Sequence, residues 1–172
     1  MALVHCLPPV EDANARVLIL GSMPGTESLR QKQYYAHPRN AFWPIIGGLL
    51  GISPAADYET KTAALQSCGV ALWDVLQVCE RNGSLDSAIV ARTAVANDFA
   101  AFFAAHSRIG YIFCNGAAAL AGYRRHVMPH LCGTAASLPL VPLPSTSPAH
   151  ATITRSQKIA LWRSVAKALA VE

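Results

Sequence analysis

Two polar segments of this sequence combine residue types that can bind a flat, hydrogen-bonding ligand and phosphate groups. The first, GSMPGTESLRQKQYYAHPRNAFWP, runs from Gly21 to Pro44 and contains two adjacent tyrosines, an Arg, an Asn and then Phe-Trp. Aromatic rings can stack on a planar base, and the carboxamide of Asn40 can bind its edge or hold a water molecule. The second segment, LPSTSPAH, runs from Leu143 to His150 and offers three hydroxyl groups.

Each motif also has a purely structural interpretation. GSMPG lacks the G-x-G-x-x-G spacing of a dinucleotide fold, the G-x-S-x-G of a serine hydrolase and the G-K-[ST] of a phosphate loop. It predicts a tight turn, either plain or with backbone N–H groups that face a ligand. PSTSP predicts a helix start that attracts anions, with Ser147 as a phosphate ligand or only a cap. Asn40 is equally consistent with a helix cap, and Phe42 and Trp43 with the core.

The surrounding pattern predicts one α/β domain over residues 1–172, a three-layer fold with a central four-stranded parallel sheet flanked by helices. Four apolar runs lack the alternation of half-exposed strands and predict buried strands: RVLIL (16–20), GVALWDVL (69–76), IGYIFC (109–114) and LPLVPLP (138–144). Helical patterns separate them, at 41–51, 57–69, 96–106, 117–127 and 151–169. Both polar segments follow strands, and ligands bind at the carboxyl ends of parallel strands.

Composition narrows the classes of function. The 172 residues carry a net charge of +4, which suits a polyanionic partner without requiring one. No apolar run reaches the length of a membrane span, and no signal peptide is apparent, so we expect a cytoplasmic protein without membrane association. The five cysteines form no C-x-x-C pair, so neither a zinc ribbon nor an iron–sulfur cluster is indicated, and we expect no bound metal. A zinc site at His126, His130 and Cys132 is disfavoured because Pro129 interrupts the helix that would align them.

Together, LILGSMPG, HPRNAFWPIIG, FCNG and LPSTSPAHA resemble the uracil-DNA glycosylase superfamily, in the same order along nearly the whole chain. Within it they are most similar to the hypoxanthine-DNA (deoxyinosine) glycosylase branch, near the mismatch-specific uracil glycosylases. The resemblance implies a monomeric, monofunctional enzyme that binds DNA with a deaminated base, flips that base out and hydrolyses its N-glycosidic bond without a cofactor. It also implies the three-layer fold described above.

The resemblance also implies roles for particular residues. Met23 stands where mismatch-type relatives carry an Asn that positions the attacking water, and the Asp of uracil-specific relatives is absent too, which disfavours uracil. Asn40 matches the Asn that the hypoxanthine branch uses as its catalytic residue. Tyr34 and Tyr35 either form a wall of the pocket or pack beneath it. The implied base-binding residues are Gly21, Ser22, Met23, Pro24, Phe42 and Asn115. The implied phosphate-binding residues are Ser145, Thr146, Ser147 and His150, with Arg39, Arg155 and Lys158 as weaker candidates.

Sugar hydrolases commonly bring two carboxylates to the cationic transition state, but we expect neither polar segment to bring one to the site. We therefore expect leaving-group and electrostatic stabilisation, with a water oriented by Asn40 and the charge of the DNA phosphates. No lysine falls in the matched motifs, so a Schiff-base step is not expected. Two alternatives remain: a uracil or mismatch-specific glycosylase, and a non-catalytic nucleic-acid-binding module.

Overall fold

The strands of the protein divide between two sheets. The computed structural model describes residues 2–171. The strands are β1 (Ala2–His5), β2 (Val17–Gly21), β3 (Val70–Asp74), β4 (Leu76–Arg81), β5 (Val95–Ala96), β6 (Tyr111–Asn115) and β7 (Leu140–Leu143). The central sheet is parallel, with the strand order β3-β2-β6-β7. This confirms the predicted four-stranded parallel sheet.

Seven helices connect the strands within residues 2–171, apart from three short 3-10 turns. They are α1 (Thr26–Gln31), α2 (Phe42–Leu50), α3 (Tyr58–Ser67), α4 (Phe99–Ala105), α5 (Ala117–His126), α6 (Gly133–Ala136) and α7 (Arg155–Ala170). Asp57 caps α3 by accepting a hydrogen bond from Thr60 N at 2.8 Å. Gly69 follows that helix with a φ of +81°, a conformation that favours glycine.

The central sheet is buried on both faces because successive residues of β2 point into two separate cores. Leu18 and Leu20 belong to the core that contains side chains of α4 and α5. Val17 and Ile19 belong to the opposite core, with side chains of α2, α3 and α7. The continuous apolar sequence of β2 therefore reflects burial on both sides of a three-layer sandwich.

The structure corrects the predicted elements in three places. The run GVALWDVL is not one strand: Val75 separates β3 from β4, which pairs with β1 and β5 in a second, antiparallel sheet. The predicted loop from Gly21 to Pro44 contains the short helix α1. The last helix begins at Arg155 instead of residue 151, because Thr154 and Gln157 form a capping box.

No helix within residues 2–171 combines the length and the apolar character needed to cross a lipid bilayer.

Candidate active site

A cavity of about 300 Å³ lies at the carboxyl edge of the parallel sheet. The two polar segments meet there, because the Gly21–Gly25 turn follows β2 and the segment after Leu143 follows β7. Most of the predicted site residues line this cavity: Gly21, Ser22, Met23, Pro24, Asn40, Asn115, Ser145, Thr146 and Ser147. Phe42 and His150 are not among the lining residues.

A buried guanidinium fixes the turn that follows β2. Arg81 of β4 donates from Nη1 to the carbonyl oxygen of Met23 at 3.4 Å and from Nη2 to the carbonyl oxygen of Pro24. Arg81 is almost completely buried, and Met23 and Pro24 are buried with it. These contacts turn two backbone carbonyls towards the guanidinium, and the turn itself lines the cavity.

Asn40 lies where the loop after α1 enters α2. Its Oδ1 accepts a hydrogen bond from Phe42 N at 2.9 Å in an Asx turn, which satisfies the first backbone N–H of the helix, although the N-cap residue itself is Ala41. Asn40 also lines the cavity, and its oxygen has a second lone pair that a water or ligand can use. The capping and ligand-binding interpretations of this residue are therefore compatible.

The structure contradicts the prediction that Phe42 itself stacks on a base. Phe42 is 0% exposed and belongs to the core beneath the site. Its ring stacks on Tyr35, with centroids 3.9 Å apart, and both Tyr35 and Tyr34 line the cavity. Tyr34 packs deeper, with its hydroxyl donating to the carbonyl oxygens of Leu7 and Pro8, both at 3.1 Å. Both tyrosines thus form part of the wall: Tyr35 is the more exposed ring, whereas Tyr34 is buried and anchored through its hydroxyl.

Asn115 and Thr146 join the ends of β6 and β7. Asn115 Nδ2 donates to Thr146 Oγ1, and Thr146 N donates to Asn115 Oδ1, both at 2.9 Å. Thr146 is only 1% exposed, so the structure contradicts its predicted role as a phosphate ligand. Asn115 lines the cavity, but both polar atoms of its amide already bond to Thr146, which limits what it can offer a base.

The serine-rich segment does not sit at a helix N-terminus. Ser145 and Ser147 line the cavity, and α7 begins only at Arg155, so its dipole cannot assist them as predicted. Their hydroxyls accept backbone hydrogen bonds within the segment, Ser145 Oγ from Ser147 N at 3.1 Å and Ser147 Oγ from Ala149 N at 3.3 Å. Both side chains are half-buried and remain candidates for phosphate contact.

His150 and Lys158 lie behind this segment. Lys158 is buried and donates from Nζ to the carbonyl oxygen of His150 at 2.7 Å. Burial lowers the pKa of Lys158 from its usual value. The structure therefore gives Lys158 a role in holding the loop, in place of the weak phosphate contact predicted for it. His150 Nε2 lies 3.2 Å from Thr152 Oγ1, outside the cavity. Arg39 and Arg155 are exposed.

Three acidic residues that were not predicted at the site also line the cavity: Glu27, Asp74 and Asp86. Asp74 ends β3, beside Gly21, and Asp86 follows β4 and accepts a hydrogen bond from Ser22 Oγ. Burial raises the pKa of Asp74 to about 7; the charge of Asp86 adds to the rise, and Arg81 opposes it. The expectation of a site without carboxylates is therefore wrong. The sequence feature that could have indicated Asp74 is an acidic residue near the end of a buried apolar run.

Residues 2–171, which the structure describes, contain no group of three or more His, Cys, Asp or Glu residues that could hold a metal ion.

The fold and the site define a three-layer α/β protein with a cavity of about 300 Å³ at the carboxyl edge of its parallel sheet. The profile of the uracil DNA glycosylase superfamily matches residues 8–166. The chain therefore belongs to the uracil-DNA glycosylase superfamily.

Individual relatives come from methanogens. The chain is 42% identical over 83 residues to a hypoxanthine DNA glycosylase of Methanosarcina barkeri, and 43% identical over 83 residues to one of Methanosarcina acetivorans. Each match covers 48% of this chain and 52% of the relative, so the chain spans about half the length of the curated relatives it matches. The solution NMR structure of a candidate uracil DNA glycosylase from Methanosarcina acetivorans superposes with a TM-score of 0.81 and 32% identity. That superposition covers 98% of this chain and 99% of the other.

Proposed function

We propose that this protein is a monofunctional DNA glycosylase that removes hypoxanthine from deoxyinosine in DNA. The observation that carries the proposal is that the Gly21–Gly25 turn, Asn40 and the serine-rich segment converge on one cavity. The relatives named hypoxanthine DNA glycosylase support the choice of base. Its proposed partner is DNA with a deaminated base, which a single copy of the chain binds.

The size of the cavity favours an extrahelical base. A volume of about 300 Å³ is at the small end of the range for ligand pockets and admits a base but not a duplex. The target nucleotide must therefore leave the stack, at a cost of a few kcal/mol that is least for a mispaired base. Hypoxanthine opposite thymine pairs poorly, which lowers that cost.

Inside the cavity, the proposed base contacts are the ring of Tyr35 and the turn after β2. Tyr35 rests on Phe42, so its ring has a rigid support against which a base can stack. The backbone of the Gly21–Gly25 turn lies beside it and offers polar groups to the base edge. In this proposal Tyr35 takes the stacking role that the resemblance implied for Phe42.

The proposed chemistry is attack of water on C1′ as the bond to the base breaks. Asn40 holds the water through its carboxamide, and the negative phosphates of the DNA stabilise the cationic sugar. Ser145 and Ser147 contact phosphates that flank the lesion, which positions the nucleotide without reading sequence. No lysine lines the cavity within residues 2–171, in keeping with hydrolysis and not a Schiff-base step.

Uracil is the alternative substrate, favoured by the structural relative named a candidate uracil DNA glycosylase. A pyrimidine would also fit the cavity. Against it stands Met23, whose buried thioether offers no amide to a pyrimidine edge or to a water.

A panel of lesion duplexes tests the proposal. Duplexes with a single deoxyinosine opposite thymine, or a single deoxyuridine opposite guanine, are incubated with the protein, and abasic sites are read as alkali-labile cleavage. We expect release from deoxyinosine at a rate at least about tenfold above that from deoxyuridine, the smaller part of the discrimination that pocket contacts achieve. An undamaged duplex is the control. Release from the deoxyuridine duplex alone would show that the enzyme excises uracil instead of hypoxanthine. Binding without release of either base would indicate a non-catalytic nucleic-acid-binding module.

A further inference from the structure

Asp74 is a buried carboxyl group on the lining of the cavity. It ends β3 opposite Gly21 of β2, and it is only 3% exposed. A Cβ atom on Gly21 would overlap Asp74 Oδ1, so the carboxyl group lies directly against the backbone where the turn begins. Asn97 Nδ2 donates to the backbone oxygen of Asp74 at 2.8 Å and fixes this end of the strand. The backbone of Asp74 is thus anchored, and its carboxyl group lies on the lining of the base cavity.

The carboxyl group of Asp74 has no structural partner that accounts for its burial. Its Oδ2 is inaccessible to water and forms no hydrogen bond within residues 2–171. The ion pairs of the described chain, Arg30 with Glu27 and His106 with Glu11, do not involve it. A buried polar atom left unpaired destabilises a fold, and such atoms often belong to sites that are completed by a ligand.

The groups around Asp74 favour its neutral form. Burial and the charge of Asp86 raise its pKa to about 7, while Arg81 of β4 opposes the rise. Burial raises the pKa of the hydroxyls of Tyr34 and Tyr35 and of the Cys6 thiol, and the charge of Asp74 adds to the rise. A neutral carboxylic acid is a hydrogen-bond donor, whereas the carboxylate only accepts.

Resting on the proposed function, we infer that Asp74 is a catalytic acid that gives its proton to N7 of the departing purine. The water oxygen bonds to C1′ as the C1′–N9 bond breaks, and the electron pair of that bond moves onto the base. The Asp74 proton moves to N7, so the base leaves as neutral hypoxanthine. The water loses one proton to solvent, and the Asp74 carboxylate takes one up, which completes the balance. Pyrimidines lack N7, so the same group favours purines over uracil.

The test compares wild type with Asp74→Asn, which keeps the shape and a donor but cannot release a proton. Single-turnover release from the deoxyinosine duplex is measured from pH 5 to 9, with Asp12→Asn as the matched control. We expect the wild-type rate to fall tenfold per pH unit above about 7, where Asp74 ionises. Asp74→Asn should be slowed about a hundredfold or more below pH 6 and should show no such fall. A duplex with 7-deazadeoxyinosine, which lacks the acceptor, should slow the wild type at least as much.

Each contrary result separates the inference from the proposed function. Wild-type release from deoxyinosine with an equally fast Asp74→Asn would overturn the role of Asp74 and leave the glycosylase in place. A slow Asp74→Asn that keeps the wild-type pH profile would assign the loss to structure and also overturn the acid. Undiminished release from the 7-deaza duplex would exclude N7 as the acceptor. Absence of release by the wild type would overturn the proposed function, and the inference with it.

Discussion

At the residue scale, the Tyr35–Phe42 pair shows how a core aromatic supports a site aromatic. Tyr35 has a φ of +56°, an uncommon conformation for a residue with a side chain. Its ring stacks on Phe42, and the edge of Phe42 meets Trp162 at a centroid distance of 5.8 Å. The packing of Phe42 therefore holds Tyr35 in place at the wall of the cavity.

Phe42→Ala should act mainly on stability. Removing a fully buried ring leaves a cavity in the core, so the free energy of unfolding should fall by about 3–5 kcal/mol. Urea denaturation followed by circular dichroism measures this change. Tyr35→Leu is the comparison: it should weaken excision more than stability. An unchanged unfolding midpoint for Phe42→Ala would contradict the buried position of the ring.

Asp74 should also make the free energy of unfolding depend on pH, and this effect can be measured without DNA. Its pKa rises from 3.8 to about 7 on folding, so between these pH values the folded protein keeps a proton that the unfolded chain has lost. Raising the pH from 4 to 8 therefore favours the unfolded state, at a cost on the order of 4 kcal/mol. Asp74→Asn should stabilise the protein at pH 8 and lose that advantage near pH 4.

Thermal unfolding at several pH values measures this effect. Asp12→Asn should unfold like the wild type throughout, because Asp12 lies outside the cavity and keeps its hydrogen bond from Asn14 N through the remaining amide oxygen. If Asp74→Asn were no more stable than wild type at pH 8, burial of the Asp74 carboxylate could not destabilise the folded protein as expected from its raised pKa.

At the element scale, β4 connects the second sheet to the site. Its last residue, Arg81, is buried and bonds to the carbonyl oxygens of the turn after β2, although the two belong to different sheets. A sequence pattern cannot reveal such a contact, because an arginine at the end of a strand is normally exposed.

Arg81→Met should loosen the turn while filling much of the same volume. Two buried carbonyls would lose their donor, which should lower the free energy of unfolding by about 1–3 kcal/mol or more. Excision should fall by at least about tenfold, because small displacements at a site are costly for catalysis. Denaturation and single-turnover rates measure both effects. The control is Arg92→Met, at an exposed arginine, and equal behaviour of the two variants would contradict the role of Arg81.

The sequence predicts elements well where the local pattern is sufficient. RVLIL and IGYIFC are continuous apolar runs, and both form strands buried on two faces. The end of β3 at Val75 could not be predicted from the local sequence, because no Gly or Pro separates β3 from β4. Thr154 and Gln157 form a capping box whose residue types are visible in the sequence, so the helix start at Arg155 could have been predicted.

Some residues of the candidate site could likewise be predicted from the sequence, and others could not. The two polar segments could be placed together because both follow parallel strands. Asp74 was not placed there, because the run GVALWDVL predicts one strand to residue 76 and so puts Asp74 inside that strand instead of at its carboxyl end. The burial of Phe42 and Thr146 likewise depends on tertiary packing that residue type does not determine.

At the scale of the whole molecule, two cores hold one sheet rigid, and all candidate chemistry lies at a single edge of that sheet. The net charge of +4 adds a general attraction to DNA that depends on salt and not on sequence. Under the proposed function, recognition of the lesion falls to the cavity, and the central proposal is that the cavity around Asn40 excises hypoxanthine.

The most direct test is release of free hypoxanthine from a deoxyinosine duplex by wild type and Asn40→Ala, measured by chromatography alongside binding of the same duplex. Asn14→Ala, at an exposed asparagine outside the cavity, is the matched control. We predict release by wild type and Asn14→Ala, and a loss of about a hundredfold or more in Asn40→Ala with binding retained. Undiminished release by Asn40→Ala, or none by the wild type, would contradict the account.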